Sequence, residues 1–250
     1  MERAAIVTGG GTGIGRATAI ALHRDGFGVV IAGRRPEPLE QTRALIGDGC
    51  VVYPGDIREP EVSAGLVEEC MSRFGRIDCL VNNAGGQFTA AAEDISPGGW
   101  RAVRRLNLDA PWFLTQAVAK RFMIANGGRV ISVVLCPERG IAGMAHSSAA
   151  RAGMGALTRT LAMEWGRHGI ALNCVAPCWI DTEGVRGYDL DLDEVAAQVP
   201  MKRLGSAAEV GDLIAYLASP AAGYITGQTI AIDGGVDLTS SGWEPPQPKG

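Results

Sequence analysis

Residues 8–15 read Thr8-Gly9-Gly10-Gly11-Thr12-Gly13-Ile14-Gly15, between the apolar stretch Ala4-Ala5-Ile6-Val7 and an amphipathic stretch over 15–25. A short apolar run, a cluster of glycines and then helical periodicity describe a strand that turns tightly into a helix. The glycines allow the turn and also remove the Cβ atoms that would hold a ligand off the backbone. A helix start presents free N–H groups and the positive end of its dipole, so this arrangement suits a pyrophosphate. A tight turn that binds nothing is the alternative, and the rest of the chain decides between them.

Moving outward, short apolar runs recur at 28–32, 50–53, 79–81, 130–135, 171–175 and 229–232. Stretches with helical spacing lie between them, for example at 61–74, 98–125, 148–167 and 208–218. Strand and helix alternating in this way predict an α/β fold of the Rossmann type: one doubly wound, seven-stranded parallel sheet with helices on both faces. In that setting the glycine turn is a phosphate cradle. The expected boundaries are one domain over 1–240, with a substrate lid at about 183–205, followed by a Pro-rich tail over 241–250 that includes WEPPQPKG.

Composition agrees with a single globular unit. The chain has 250 residues, 46% apolar and 20% charged, enough to bury one large core. Its 35 glycines are about twice the roughly 7% average. A formal charge of −4 provides no broad cationic surface, so no nucleic-acid partner is expected. No run approaches the roughly 18 apolar residues of a membrane span, and no basic-then-apolar leader precedes the first strand. The expected location is the cytoplasm. Cys50, Cys70, Cys79, Cys136, Cys174 and Cys178 are scattered without metal-ligand spacing, which reads as reduced, mostly buried thiols. Asp189, Asp191, Asp193 and Glu194 read as a polar lid surface, and no metal is expected.

The second strand runs into Gly33-Arg34-Arg35, where a protein preferring NAD ordinarily presents an acidic residue to the ribose hydroxyls. A guanidinium there can hold a 2′-phosphate by charge-assisted bonds, so NADPH is favoured over NADH, with Arg34 the first choice for the contact and Arg35 beside it. The alternative is that one arginine is a solvated helix-start residue.

Further markers follow in order: Asp56-Ile57, Asn82-Asn83-Ala84-Gly85, Asn107, Asn173 with Pro177 and Thr182, then Thr226-Gly227-Gln228 and Asp233-Gly234-Gly235. Together with residues 8–15 they resemble the short-chain dehydrogenase/reductase family over nearly the whole chain. By that resemblance the cofactor would meet Gly9, Gly11, Thr12, Gly13, Ile14 and Gly15 at its diphosphate. Asp56 and Ile57 would border the adenine, Asn83, Ala84 and Gly85 would lie along it, and Pro177, Ile180 and Thr182 would meet the nicotinamide end. The resemblance also implies a homotetramer packed through the long helices.

The family's usual catalytic set is replaced. Leu135 stands at the serine position, and Ser147 and Arg151 stand at the tyrosine and lysine positions of Tyr-x-x-x-Lys. A serine hydroxyl is a far weaker acid than a phenol of pKa about 10, and arginine keeps its proton while still able to hydrogen-bond a ribose. Ser147 and Arg151 are four apart and share a helix face. A reaction that needs only oriented donors is hydride addition to the C=C bond of a 2-enoyl thioester, with the negative charge passing to the thioester oxygen. The stretches AHSSAARAG, LVNNAGGQF and LAMEWGRHGI are similar to the trans-2-enoyl-CoA reductase branch of the family, with dienoyl-CoA reductases and citronellol-type dehydrogenases near it.

Three functions follow as alternatives: an enoyl-thioester reductase, a carbonyl or alcohol oxidoreductase with an atypical proton donor, and a cofactor-binding protein without catalysis. His146 is either a proton donor or a polar helix-start residue facing solvent, and the second is favoured. Asn107 either supports catalysis or bonds its own helix. Cys178 reads as a small buried side chain, and Gln87 with Phe88 as lining of an acyl pocket, with ordinary core packing the alternative for Phe88. Arg101, Arg104 and Arg105 fit a solvated helix face better than a coenzyme A phosphate site.

Overall fold

The computed structural model describes residues 2–135, 140–187 and 190–241. Cys136, Asp189 and the tail from 242 to 250 lie outside the described residues. Seven parallel strands form one sheet in the order β3-β2-β1-β4-β5-β6-β9. They are β1 (Arg3–Thr8), β2 (Phe27–Gly33), β3 (Cys50–Pro54), β4 (Cys79–Asn82), β5 (Gly128–Val133), β6 (Ile170–Pro177) and β9 (Thr229–Ile232). All seven expected strands are present. A separate parallel pair joins β7 (Ile180–Asp181) to β8 (Gly205–Ser206).

Alternate residues of each central strand feed two cores, as period-2 geometry requires. Ala5, Val7, Val29 and Ile31 face α1 (Gly13–Arg24) and α10 (Ala207–Ala218), packing with Leu22, Val210, Ile214 and Leu217. Ala4, Ile6, Val30 and Leu80 face the other way, onto Leu66 of α3 (Pro60–Phe74), Leu114 of α5 (Ala110–Val118) and Leu161 of α7 (Ala145–Trp165). Where α1 crosses α10, a Cβ on Gly211 would stand 2.9 Å from the Ala17 backbone, so glycine sets how closely these helices approach.

Two expectations are corrected. The fifth strand ends at Val133, so Leu135 falls in the connection beyond it. The helix expected over 98–125 is a segmented run: α4 (Pro97–Arg104), a π turn at Arg105–Asp109, α5, a second π turn at Ala119–Met123, and α6 (Ile124–Asn126). Proline at the start of α5 removes one backbone donor, which suits a break in the regular ladder at this point. Among the described residues, no helix is long and apolar enough to cross a membrane.

In this strand order the direction of winding reverses between β1 and β4, and their C-terminal ends open a crevice. The candidate site lies there. Its far wall is the segment from β7 to β8, which carries α8 (Glu183–Arg186) and α9 (Leu192–Gln198). Asp191 accepts bonds from the backbone N–H groups of Asp193 and Glu194 and so caps α9.

Candidate active site

The glycine turn is held from both neighbouring strands. Gly9 N–H donates to Ala32 O at 2.7 Å, at the end of β2. On the other side, Thr8 is fully buried and its hydroxyl is a junction: it donates to Val81 O at 3.2 Å and accepts from the N–H groups of Asn83 and Ala84, each at 3.0 Å. Asn83 Nδ2 returns bonds to Thr8 O (2.9 Å) and Gly9 O (3.3 Å). Gly9 has φ +67 and Gly13 φ +49, left-handed values that glycine adopts at little cost. At Gly15 a Cβ would collide with Gly9 O and Asn83 Nδ2.

The start of α1 carries no internal anion. Thr12, its N-cap residue, makes no side-chain capping bond, and the first turn contains no acidic residue. Arg16 and Thr42 occupy the Gly11 carbonyl from behind, with Arg16 Nη2 at 2.6 Å and Thr42 Oγ1 at 3.3 Å. A helix start whose N–H groups stay uncapped, beside a backbone cleared of Cβ atoms, fits the diphosphate of a dinucleotide.

This turn opens into a cleft of about 500 Å³. Gly9, Gly11, Thr12, Gly13, Ile14 and Gly15 line one part of it, Arg34, Arg35, Asp56 and Ile57 another, and Asn83, Ala84, Gly85, Arg151, Pro177, Ile180 and Thr182 the remainder. Every residue expected at the cofactor is thus gathered around one cavity. Pro38, Leu39, Leu106 and Val185 also line it and carried no sequence signal, because small apolar residues there look like ordinary packing. Arg34 and Arg35 are exposed, and Arg35 is the N-cap residue of α2 (Pro36–Ile46). The Arg58 guanidinium, bonded to both oxygens of Asp56, holds that carboxyl below its ordinary range against the opposing effect of burial, and Arg34 adds to the lowering.

The end of the cleft expected to take the nicotinamide is bordered by α7 and the loop after β4. Arg151 Nη1 donates to Val133 O at 2.8 Å, at the end of β5, and its guanidinium lies against Gly85, where a Cβ would collide with it. Leu135 and Cys178 line the cleft too. Asn107 is 4% exposed and lies in the first π turn, where it bonds its own helix, as one of its two readings expects. Its Nδ2 bonds Val103 O within its own helix and also Gly86 O, both at 2.8 Å, while its Oδ1 accepts from Gly86 N–H at 3.2 Å. Asn107 therefore holds the loop carrying Gly85 in place.

Ser147 and His146 depart from expectation. Ser147 is on the predicted helix one turn before Arg151, yet it is fully buried and does not line the cleft. The solvent-facing reading of His146 fails, since the ring is 1% exposed. The first turn of α7 is covered by the loop after β4: Phe88 packs edge to face on the imidazole with ring centroids 4.4 Å apart, and Ala90 N–H bonds Gly143 O at 2.9 Å. Sequence reasoning missed a second polar group, in which Asn82 Nδ2 donates to Thr115 Oγ1 at 2.9 Å and Ser132 Oγ at 3.4 Å beneath the same loop. Arg104 pairs with Asp109 and Arg105 with Glu59 at exposed positions, as a solvated face requires. Cys50, Cys70, Cys79 and Cys174 are buried, and burial pushes the thiols of Cys50, Cys70 and Cys79 up to about 12.

Residues 9–237 match a family described as enoyl-(acyl carrier protein) reductase. The chain is 37% identical over 244 residues to a probable 2,4-dienoyl-CoA reductase of Bacillus subtilis, covering 94% of this chain and 96% of that protein. It is 34% identical over 249 residues to the peroxisomal 2,4-dienoyl-CoA reductase of Danio rerio, covering 96% of this chain and 83% of that one. Among solved structures, the citronellol catabolism dehydrogenase of Pseudomonas aeruginosa superposes with a TM-score of 0.84 at 40% identity, over 94% of this chain and 95% of that chain. A sheet that reverses its winding beside a braced glycine turn, in a chain that these oxidoreductases match almost end to end, leads to one assignment: the protein belongs to the short-chain dehydrogenase/reductase family of oxidoreductases.

Proposed function

We propose that the protein reduces the conjugated C=C bond of a 2-enoyl thioester, with NADPH as cofactor. The observation that carries this reading is a cleft lined by the residues expected at the cofactor, in which no described tyrosine takes part. Tyr53 packs in the core below the sheet, Tyr216 and Tyr224 are on the surface, and Tyr188 lies outside the described residues. Reduction at a carbonyl carbon calls for an acid near its oxygen, whereas reduction at the β-carbon calls only for hydrogen bonds to that oxygen.

Residues 9–15 would hold the diphosphate of NADPH, which when bound would supply the hydride. Arg34 and Arg35 would hold its 2′-phosphate, Asp56 and Ile57 its adenine, and Pro177, Ile180 and Thr182 its carboxamide end. Arg151, anchored on Val133 O, would hold the nicotinamide ribose. Ser147, buried off the cleft, would donate to the thioester oxygen once substrate reaches it, as charge develops there, and the α-carbon would then take a proton from water. The names of the two dienoyl-CoA reductases support a thioester substrate. We further propose a homotetramer, supported by Phe113 on α5 (58% exposed) and Met163 on α7 (80% exposed), two large apolar side chains turned outward on the helices expected to meet.

A carbonyl or alcohol oxidoreductase is the second reading, favoured by the 40% identity to the citronellol catabolism dehydrogenase. NADPH consumption with crotonyl-CoA, a longer 2-enoyl-CoA, ketones and aldehydes separates the two. Turnover of the enoyl thioesters is expected; turnover of carbonyl compounds alone would replace the first reading by the second.

A further inference from the structure

The first turn of α7 contains two consecutive polar side chains that are buried and unsatisfied. His146 is 1% exposed and Ser147 is 0% exposed. The backbone N–H of Ser147 donates to His146 Nδ1 at 2.8 Å, which makes Nδ1 an acceptor and assigns the proton of the neutral ring to Nε2. That Nε2 and Ser147 Oγ have no hydrogen-bond partner among the described residues. A buried donor left without a partner is costly, so two in consecutive residues are a feature that calls for an acceptor.

The position of the pair indicates which acceptor. Arg151, one turn along the same helix, lines the cofactor cleft, as does Gln87, the neighbour of Phe88. Phe88 lies on the imidazole and is itself 40% exposed. The imidazole is therefore covered by an apolar ring whose chain neighbour, Gln87, lines the cleft.

We propose that His146 is a catalytic residue whose Nε2–H, together with Ser147 Oγ, forms a two-donor seat for the carbonyl oxygen of the substrate, entered when an acyl group takes the place of the Phe88 ring. The proposal rests on the enoyl-thioester reading above. As hydride reaches the β-carbon, the π electrons of the C=C bond shift to form the α-carbon–carbonyl double bond, and the carbonyl π pair moves onto oxygen. Both donors keep their protons and strengthen their bonds to that oxygen. The carbonyl re-forms when the α-carbon takes a proton from water. His146 thus acts as a neutral hydrogen-bond donor, and the N–H of Ser147 fixes which of its nitrogens performs that role.

The test uses His146→Asn, which retains an acceptor for the Ser147 N–H and lacks a donor at the Nε2 position, and His146→Gln, whose amide N–H reaches toward that position. With NADPH and crotonyl-CoA, His146→Asn should lose roughly 100-fold or more in kcat, the usual effect of one such donor, with the KM for NADPH unchanged, and His146→Gln should recover most of the loss. The infrared carbonyl band of crotonyl-CoA labelled with carbon-13 at the thioester carbon should move to lower frequency on binding the wild-type protein without NADPH, and back in His146→Asn. A packing role would not move that band. If His146→Asn fails to fold, Ser147→Ala should shift the band part of the way back. Band and kcat unchanged in a folded His146→Asn protein that still binds crotonyl-CoA overturn the seat alone. A wild-type protein that neither binds nor reduces crotonyl-CoA overturns the thioester reading and the seat with it.

Discussion

Arg34 faces the cleft at the end of β2 and makes no ion pair there among the described residues. Asp56, its nearest acidic neighbour in the cleft, already accepts bonds from Arg58. A phosphate would therefore meet a cation that is not bound to a carboxylate. Replacing Arg34 with alanine should weaken NADPH roughly tenfold, the value of a charge-assisted bond of about 1.5 kcal/mol, and leave NADH nearly unchanged, as measured by titrating nicotinamide fluorescence. Equal weakening of both cofactors would count against a 2′-phosphate contact. Residue-scale reading of the sequence succeeded at the glycines because their role is local: a Cβ either fits beside Gly9 O or it does not. It failed at His146, whose burial depends on Phe88, 58 positions earlier in the chain; no pattern within the AHSSAARAG stretch contains that information.

At the level of elements, the π turn at Arg105–Asp109 places Asn107 where it can bond both Gly86 backbone groups as well as its own helix. Asn107→Ala should leave the part-buried N–H and C=O of Gly86 without this partner and cost about 1 kcal/mol, read from urea unfolding. The position of Asn107 was legible, but the segmentation of its helix was not, because a widened turn keeps the same apolar face and leaves the spacing pattern intact. The capping box of α10 has a pH signature. Arg203 first, and then Ser206, hold the Glu209 carboxyl down to about 2 from its ordinary value of 4.5. A depressed carboxyl contributes stability above its unfolded value and loses it as pH falls toward its folded one, so this contribution fades from about pH 4.5 to about pH 2. Both partners are exposed and the effect is small. Urea midpoints compared at pH 7 and pH 3 should fall less in Glu209→Gln than in the wild-type protein; identical falls would assign the acid sensitivity elsewhere.

For the whole molecule, the seven strands and their alternation with helices were readable because each strand of a parallel sheet is buried on both faces and so forms a short apolar run. Assembly is not written in the same way. Phe113 on α5 is 58% exposed, and if the proposed tetramer packs through this helix, a Phe113→Asp substitution should lower the mass measured by light scattering while leaving the thermal unfolding profile of the subunit nearly intact. An unchanged mass would remove α5 from the contact. The strand order has a further consequence for synthesis on the ribosome. The turn after β1 is braced by Ala32 on one side and by Asn83 and Ala84 on the other, so a nascent chain that has released only its first two strands holds half a cradle. At the proposed cofactor site, coenzyme would stabilise the growing polypeptide only after β4, which ends at Asn82, has left the ribosome and taken its place beside the first strand.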